Sequence, residues 1–304
     1  MPDRLPEPVA AAARAVAQQL GLDADQARPL RVHAAATLLL PADHVVIRLV
    51  PESDDALARA RRAVHVTRWL STQSFPTIRP AAEEPIEAGG YVATAWHEVA
   101  AHPSGSPVAV NIALGRLLRE LHTLPNPPVD LPTADPLARL RAALGLDAAR
   151  FEPVLTRDET AFLHDRIDEL AQRYAGMRFP LGSGLIHNDA HPGNLVPDPS
   201  SRHGYLLTDW EGACIGPREL DVVLVGAPGS RFGDSDDERH AFTNAYGYDI
   251  ATWPDHQTLR DIRDLHSLAA FIRAGAGKPA ALMQLRIRIA SLRDDDASVR
   301  WAAT

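Results

Sequence analysis

The amino-acid sequence predicts an α+β protein with a small antiparallel sheet near its N-terminus and a larger, mostly helical remainder. Three short runs rich in apolar and β-branched residues, separated by brief turns, predict neighbouring strands at 30–32, 37–40 and 45–50. Strands joined by such short connections pair antiparallel, because parallel strands need a long crossover. Beyond residue 105, apolar residues recur mainly at the spacing of helices. The fold class follows from this contrast between the two parts of the chain.

Length and composition place the chain among globular proteins. With 304 residues, of which 45% are hydrophobic, it can bury a large core. No uninterrupted apolar run approaches the roughly 18 residues of a membrane span. Arg14 interrupts the alanine-rich start, so we expect neither a membrane partner nor a signal peptide. The one cysteine, Cys214, excludes an internal disulfide framework and fits the reducing cytoplasm. A net charge of -8 argues against a nucleic-acid partner and is compatible with a cationic one.

The other elements follow from helical periodicity and from capping signals. Gly21 follows the end of one helical pattern, and Thr156 with Glu159 forms a capping box at the start of another. Helices are predicted at 8–20, 54–70, 106–122, 156–175, 218–225, 254–274 and 279–292, and the last strand of the sheet at 90–96.

A hairpin carries the candidate site. Two short apolar runs, 195–196 and 205–207, flank a segment rich in proline, aspartate, serine and glycine, which predicts an antiparallel pair joined by a turn. The start of one strand then lies beside the end of the other, so we expect Asn194 and Asp209 side by side at one rim. Asp189 precedes Asn194 by five residues on the loop that enters the hairpin. Oxygen ligands of this kind suit Mg²⁺, which takes one or two protein carboxylates together with substrate phosphates.

The same residues carry a resemblance to a known family. The stretch from His187 to Asn194, with the spacing His-x-Asp followed by Asn after four residues, and the segment 208–212 resemble the two signatures of the aminoglycoside phosphotransferase family. Its relatives include choline kinase and the eukaryotic-type protein kinases. Both motifs occur in the right order, each on the expected loop or strand. The resemblance implies a two-lobed, protein-kinase-like fold, with a nucleotide-covering N-lobe at 1–96. The C-lobe at 97–304 would carry the catalytic loop, the metal site and the substrate-binding helices.

The resemblance also implies a reaction and a role for each of these residues. Asp189 would accept or orient the proton of a substrate hydroxyl, while Asn194 and Asp209 would hold Mg²⁺ on the phosphates of ATP or GTP. The expected activity is that of a cytoplasmic small-molecule kinase. It would transfer the γ-phosphoryl group to a hydroxylated acceptor such as an aminoglycoside or another antibiotic. Two interpretations of Glu211 stay open, namely a ligand of a second metal ion and a solvated side chain.

The nucleotide-covering part departs from the family pattern. Arg48 occupies the place of the lysine that holds the α- and β-phosphates, and Ala63 occupies the place of the helix glutamate that pairs with it. The loop 33–36, which by resemblance covers the phosphates, contains no glycine. We therefore expect Arg48 to be loosely placed until a nucleotide binds. A solvent-facing arginine on a strand is the structural alternative.

The connector after the last strand of the sheet is the expected site of the nucleotide base. In the family this hinge binds adenine through backbone groups. If the strand closes at Thr94, the carbonyl of Ala95 and the amide of His97 would make these contacts.

Two other functions remain open from the sequence. His187, Asp189 and His191 stand at alternate positions, as zinc ligands of a metallohydrolase would, but that function gives Asn194 and Asp209 no role. A non-catalytic, kinase-like protein that binds a nucleotide or another small molecule would explain the missing glycines and the missing helix glutamate. It does not explain why all three oxygen-bearing residues are present.

Overall fold

The predicted fold class is confirmed by the computed structural model, which describes residues 5–32, 35–229, 231–232 and 234–302. A five-stranded antiparallel sheet forms the N-terminal part, and mostly helices follow it. Residues 33 and 34 of the predicted phosphate-covering loop lie outside the described residues. None of the described helices is long and apolar enough to cross a membrane.

The sheet has the strand order β1-β2-β3-β5-β4, and every neighbouring pair is antiparallel. Its strands are β1 (Arg28–Val32), β2 (Ala36–Leu40), β3 (Val45–Pro51), β4 (Ile86–Ala88) and β5 (Tyr91–His97). Helix α1 (Glu7–Leu20) packs its buried Val16 into a core with Leu38 and Ile47. Because side chains alternate across a strand, β3 buries Ile47 in this core and sends Arg48 to the opposite face. Helix α2 (Ala56–Thr72) packs against β5.

The predicted hairpin is present among the four short strands of the later chain. These strands are β6 (Ser183–Ile186), β7 (Leu195–Pro197), β8 (Tyr205–Leu207) and β9 (Cys214–Pro217). Strands β7 and β8 pair antiparallel with Leu195 opposite Leu207, and β6 pairs with β9. Thr77, in the connection between α2 and β4, forms a bridge with Leu207 and donates its hydroxyl to the carbonyl of that residue at 2.8 Å. The hairpin is thus fastened to the segment that follows α2.

Eight further α-helices follow the sheet in the part of the chain that the structure describes. They are α3 (Pro107–Leu121), α4 (Ala138–Ala148), α5 (Arg157–Ala175), α6 (Glu219–Gly226), α7 (Asp236–Tyr246), α8 (His256–His266), α9 (Leu268–Gly275) and α10 (Pro279–Arg293). The capping box of Thr156 and Glu159 is confirmed at the start of α5. The single helix predicted at 254–274 is wrong, because α8 and α9 are separate. At the break, Ser267 donates its hydroxyl to the carbonyl of Asp264 at 2.7 Å, a local bond that competes with helix continuation.

Packing divides the chain into two compact units, each built from several segments. The first contains Met1–Ser106, Arg119–Pro132 and Leu185–Ile215, and the second contains Pro107–Leu118, Thr133–Gly184 and Gly216–Thr304. The first unit thus contains both the sheet and the hairpin, while the lobes at 1–96 and 97–304 stay a prediction. Every residue of the candidate site belongs to the first unit.

Candidate active site

The rim of the hairpin brings Asn194 and Asp209 to one pocket. The backbone amide of Thr208 donates to the carbonyl of Asn194 at 2.9 Å, and its hydroxyl donates to the same oxygen at 3.0 Å. These two bonds extend the β7–β8 pairing by one residue on each strand, and Asp209 follows directly after the paired Thr208. Asn194, Asp209, Glu211 and Arg48 all line a pocket of about 590 Å³. The structure therefore brings together the two predicted metal ligands and the strand arginine.

Asp189 is attached to this rim through its backbone. The side-chain Nδ2 of Asn194 donates to the carbonyl of Asp189 at 2.9 Å. Because Nδ2 is used in this way, Oδ1 of Asn194 is the atom left to face a cation. Asp189 is half-buried and, among the residues that the structure describes, is not part of the pocket lining.

His187 connects the loop that enters the hairpin to the strand β8 side of the hairpin through a buried contact. Its ring is fully buried, its Nε2 lies 2.7 Å from the carbonyl oxygen of Thr208, and its centroid lies 4.7 Å from that of Trp210. Nδ1 of His191 accepts a hydrogen bond from the backbone amide of Gly193 at 3.1 Å. In the part of the chain with described coordinates, no three His, Cys, Asp or Glu side chains form a group that could hold a metal ion. One ring nitrogen of each histidine is thus engaged by the backbone of the loop, which gives both residues a structural role.

The turn after β8 aims two carboxylates at the pocket. Asp209 has a left-handed backbone with φ 67°, a conformation that aspartate tolerates better than most residues, and a 3-10 turn, Trp210–Gly212, follows it. Trp210 is buried, and its Nε1 donates to the hydroxyl of Thr77 at 2.8 Å. With this indole fixed in the core, Asp209 and Glu211 on either side of it both line the pocket.

Arg48 is held by both of these carboxylates. Its Nη1 lies 3.2 Å from Oδ1 of Asp209 and also contacts Oε1 of Glu211. The Glu211 side chain is only 12% exposed. Burial raises the pKa of its carboxyl, an effect that the neighbouring charge of Asp209 strengthens and the charges of Arg48 and Arg59 oppose. The expectation of a loosely placed Arg48 is therefore wrong, because an acid outside α2 holds it.

The backbone groups assigned to adenine are occupied within the sheet. The carbonyl of Ala95 accepts from the amide of Ala81 at 2.8 Å, and the amide of His97 donates to the carbonyl of Arg79 at 2.9 Å. Strand β5 continues to His97 instead of closing at Thr94, so the predicted contacts of Ala95 and His97 need correction. Trp96 and His97 of this segment line the pocket.

Comparison with known proteins decides the family. The phosphotransferase enzyme family matches residues 17–262, which is most of the chain. The chain belongs to this family. It also contains both signatures from which the membership was predicted. No curated protein matches the sequence closely enough to serve as a relative.

Solved structures of phosphotransferases show the same fold at low identity. An amicoumacin kinase in complex with AMP-PNP, Ca²⁺ and Ami aligns with a TM-score of 0.67 and 13% identity, covering 95% of both chains. The GDP and kanamycin complex of APH(2")-IIia aligns with a TM-score of 0.66 and 12% identity, covering 93% of this chain and 98% of that one. The aminoglycoside phosphotransferase APH(3'')-Id from Streptomyces rimosus gives 0.59 and 20%, covering 86% and 98%.

One residue of this phosphotransferase was missed as a partner of Arg48. Glu211 stands two residues after Asp209, and its sequence pattern left only a second metal site or a solvated position open. The pairing joins positions 163 residues apart, so no local pattern reports it. The available signal was indirect. A strand arginine without an acid on the neighbouring helix can pair with a carboxylate from elsewhere, and Glu211 lies inside the second signature, two residues after Asp209.

Proposed function

We propose that this protein is a kinase that transfers the γ-phosphoryl group of ATP or GTP to a hydroxyl of a small molecule. The observation that carries the proposal is the hairpin rim, where Asn194 and Asp209 line one pocket with Arg48 and where Asn194 is bonded to the loop of Asp189. Membership of the phosphotransferase family supports the same reaction class.

In the proposed mechanism, each side chain does one task. Asp189 accepts or orients the proton of the attacking hydroxyl, and Arg48 binds the α- and β-phosphates. Asn194, through Oδ1, and Asp209 would hold Mg²⁺, which would supply positive charge beside the nucleotide phosphates. Such transfer depends mainly on positioning and on charge neutralisation, so the rigidity of the hairpin rim is the protein's main contribution.

The pocket wall suits a flat, apolar base. Its lining includes Val46, Ile78, Trp96 and Val99. Because the amide of His97 is used by Arg79, and the amide of Glu98 donates to His44 at 2.8 Å, the base edge would be read beyond them, near Val99. This arrangement does not favour adenine over guanine. One related structure contains AMP-PNP and another contains GDP, so both donors belong in the tests.

The acceptor is proposed to be a hydroxylated antibiotic or a similar compound. Kanamycin occurs in one related structure, and a net charge of -8 favours a cationic acceptor over an anionic one. We also propose that the enzyme works in the cytoplasm, where both nucleotides are available and where a buried free thiol such as Cys214 stays reduced.

A thermal-shift experiment tests nucleotide use. ATP and GTP are each added with Mg²⁺ and with EDTA, and the melting temperature of the wild type is compared with that of Asp209→Asn. We expect at least one nucleotide to raise the wild-type melting temperature, and the rise to be larger with Mg²⁺, because a ligand that binds only the native state stabilises it. The variant should lose most of the Mg²⁺-dependent part. No shift with either nucleotide contradicts the proposal.

A further inference from the structure

A network of charges links Arg48 to the metal turn and to α2. Glu211 contacts Arg48 through Oε1, and its Oε2 lies 3.4 Å from Nη2 of Arg59 on α2. Its backbone carbonyl accepts from Nη1 of Arg62, one helical turn further along, at 2.8 Å. Glu211 therefore lies between a strand cation and two helix cations.

Helix α2 carries arginines where the kinase pattern requires a glutamate. Its sequence from Ala56 to Thr72 contains no acid, and Ala63 lines the pocket beside Arg48. The helix instead contributes Arg59 and Arg62, and the acid comes from the turn after β8. The ion pair has thus been relocated, with its carboxylate moved from the helix to the metal turn.

We propose that Glu211 is the residue that positions Arg48 for the nucleotide phosphates, with Arg59 fixing Glu211 from the helix. The inference rests on the proposed function, because Arg48 needs positioning only if it binds phosphate. Its geometric support is the double contact of one carboxylate that is 12% exposed, since water competes less for a buried pair than for an exposed one.

Glu211 also separates two tasks that a single carboxylate could not perform together. Asp209 is 39% exposed, touches Arg48 and is the proposed ligand of Mg²⁺. When its oxygens bind the metal, they attract Arg48 less strongly. Glu211 then keeps the guanidinium in place.

The test compares Glu211→Gln with a matched control, Glu83→Gln. Glu83 is an 84% exposed acid that pairs with Arg68 elsewhere in the first unit. The dissociation constant of AMP-PNP is measured for each protein, once with Mg²⁺ and once with EDTA. We expect Glu211→Gln to weaken binding roughly tenfold under both conditions, about 1.4 kcal/mol, and Glu83→Gln to leave it unchanged.

The EDTA arm separates positioning from metal binding. A positioning residue acts on the arginine that meets the phosphates, so its loss weakens binding with or without metal. A weakening confined to the Mg²⁺ arm would make Glu211 a ligand of a metal ion and would overturn the inference.

A double-mutant cycle provides a result that a merely structural role does not give. In the Arg48→Ala background, Glu211→Gln should change the AMP-PNP dissociation constant less than about twofold, because its target is gone. Additive losses would overturn the inference. Arg59→Gln should weaken binding in the wild-type background, whereas Arg61→Gln, on an exposed position of the same helix, should not.

Two further comparisons keep the result interpretable. If Glu211→Gln fails to fold, Glu211→Asp is used in the same cycle, and an intermediate weakening that disappears in the Arg48→Ala background supports positioning. A wild type that binds neither AMP-PNP nor its guanine counterpart, with Mg²⁺ or with EDTA, contradicts the proposed function itself, and a wild type that binds only the guanine nucleotide is tested with that ligand. A wild type that binds it while the cycle is additive contradicts the positioning role alone.

Discussion

The side-chain amide of Asn194 donates from Nδ2 to the backbone carbonyl of Asp189 across 2.9 Å. This bond joins the proposed metal ligand to the backbone of the proposed proton acceptor, so the two residues belong to one rigid loop. It also selects which atom of the asparagine faces the cation. A change of Asp189 is therefore expected to affect the proton transfer, and a change of Asn194 is expected to affect metal binding.

Asp189→Asn should lower kcat by at least about a hundredfold, the usual contribution of a positioned acid or base. Its backbone carbonyl, which holds Asn194, is unchanged, so the nucleotide KM should stay near the wild-type value. Asp198→Asn is the control, because this aspartate only caps Ser200 in the hairpin turn. Steady-state kinetics of both variants give the comparison. Wild-type turnover in Asp189→Asn would remove it from the mechanism.

Asp209→Asn should raise the Mg²⁺ concentration needed for half-maximal activity and weaken nucleotide binding more than Asp189→Asn does. The physical reason is the loss of a ligand charge beside the phosphates. Titration of Mg²⁺ at fixed nucleotide measures the effect. An unchanged Mg²⁺ requirement would exclude Asp209 as the ligand.

Removal of divalent cations should abolish the reaction. EDTA is expected to stop turnover, added Mg²⁺ to restore it and Zn²⁺ not to do so, because hard oxygen ligands suit Mg²⁺ and the histidines of this loop are engaged by the backbone. Activity assays after dialysis supply the measurement. Tight, stoichiometric zinc in the purified protein would revive the metallohydrolase interpretation.

Arg48→Ala should raise the nucleotide KM roughly tenfold or more, about 1.4 kcal/mol in binding free energy. Arg48→Lys should recover only part of this, because a lysine places a compact point charge on a different stem and lacks the planar guanidinium. Arg61→Ala on α2 serves as the control. If Arg48→Ala leaves both KM and kcat unchanged, the phosphates bind elsewhere.

Two glycines in helices should respond oppositely to alanine. A Cβ on Gly115 of α3 would lie 2.6 Å from the carbonyl oxygen of Phe242 and 2.9 Å from Cβ of Ala245, so Gly115→Ala should destabilise the protein by about 1–3 kcal/mol. A Cβ on Gly145 of α4 would meet nothing within 4 Å, so Gly145→Ala should stabilise by up to about 1 kcal/mol. Urea denaturation measures both. Equal effects would show that α3 is not packed this closely.

The sequence predicts what depends on local patterns and misses what depends on distant pairing. The hairpin, its rim and the capping box of α5 follow from turn residues and short-range periodicity, and all are found. The pairing of Arg48 with Glu211 and the bonds between 79–81 and 95–97 arise only from tertiary packing. They corrected the predicted freedom of Arg48 and the predicted adenine contacts. At Ser267 the chain is divided into two helices although the periodicity continues across it, and a side-chain bond to the carbonyl of Asp264 lies at the break.

The most direct test of the proposed kinase is transfer of labelled phosphate. Wild type and Asp189→Asn are incubated side by side with ATP or GTP labelled in the γ-phosphoryl group, Mg²⁺ and a panel of hydroxylated antibiotics and metabolites. The expected result is a phosphorylated product from at least one acceptor with the wild type, absent in EDTA and reduced at least about a hundredfold in the variant. A wild type that binds nucleotide with Mg²⁺ but labels none of the panel, or a variant that labels it as fast as the wild type, would contradict the proposed kinase and its assigned base.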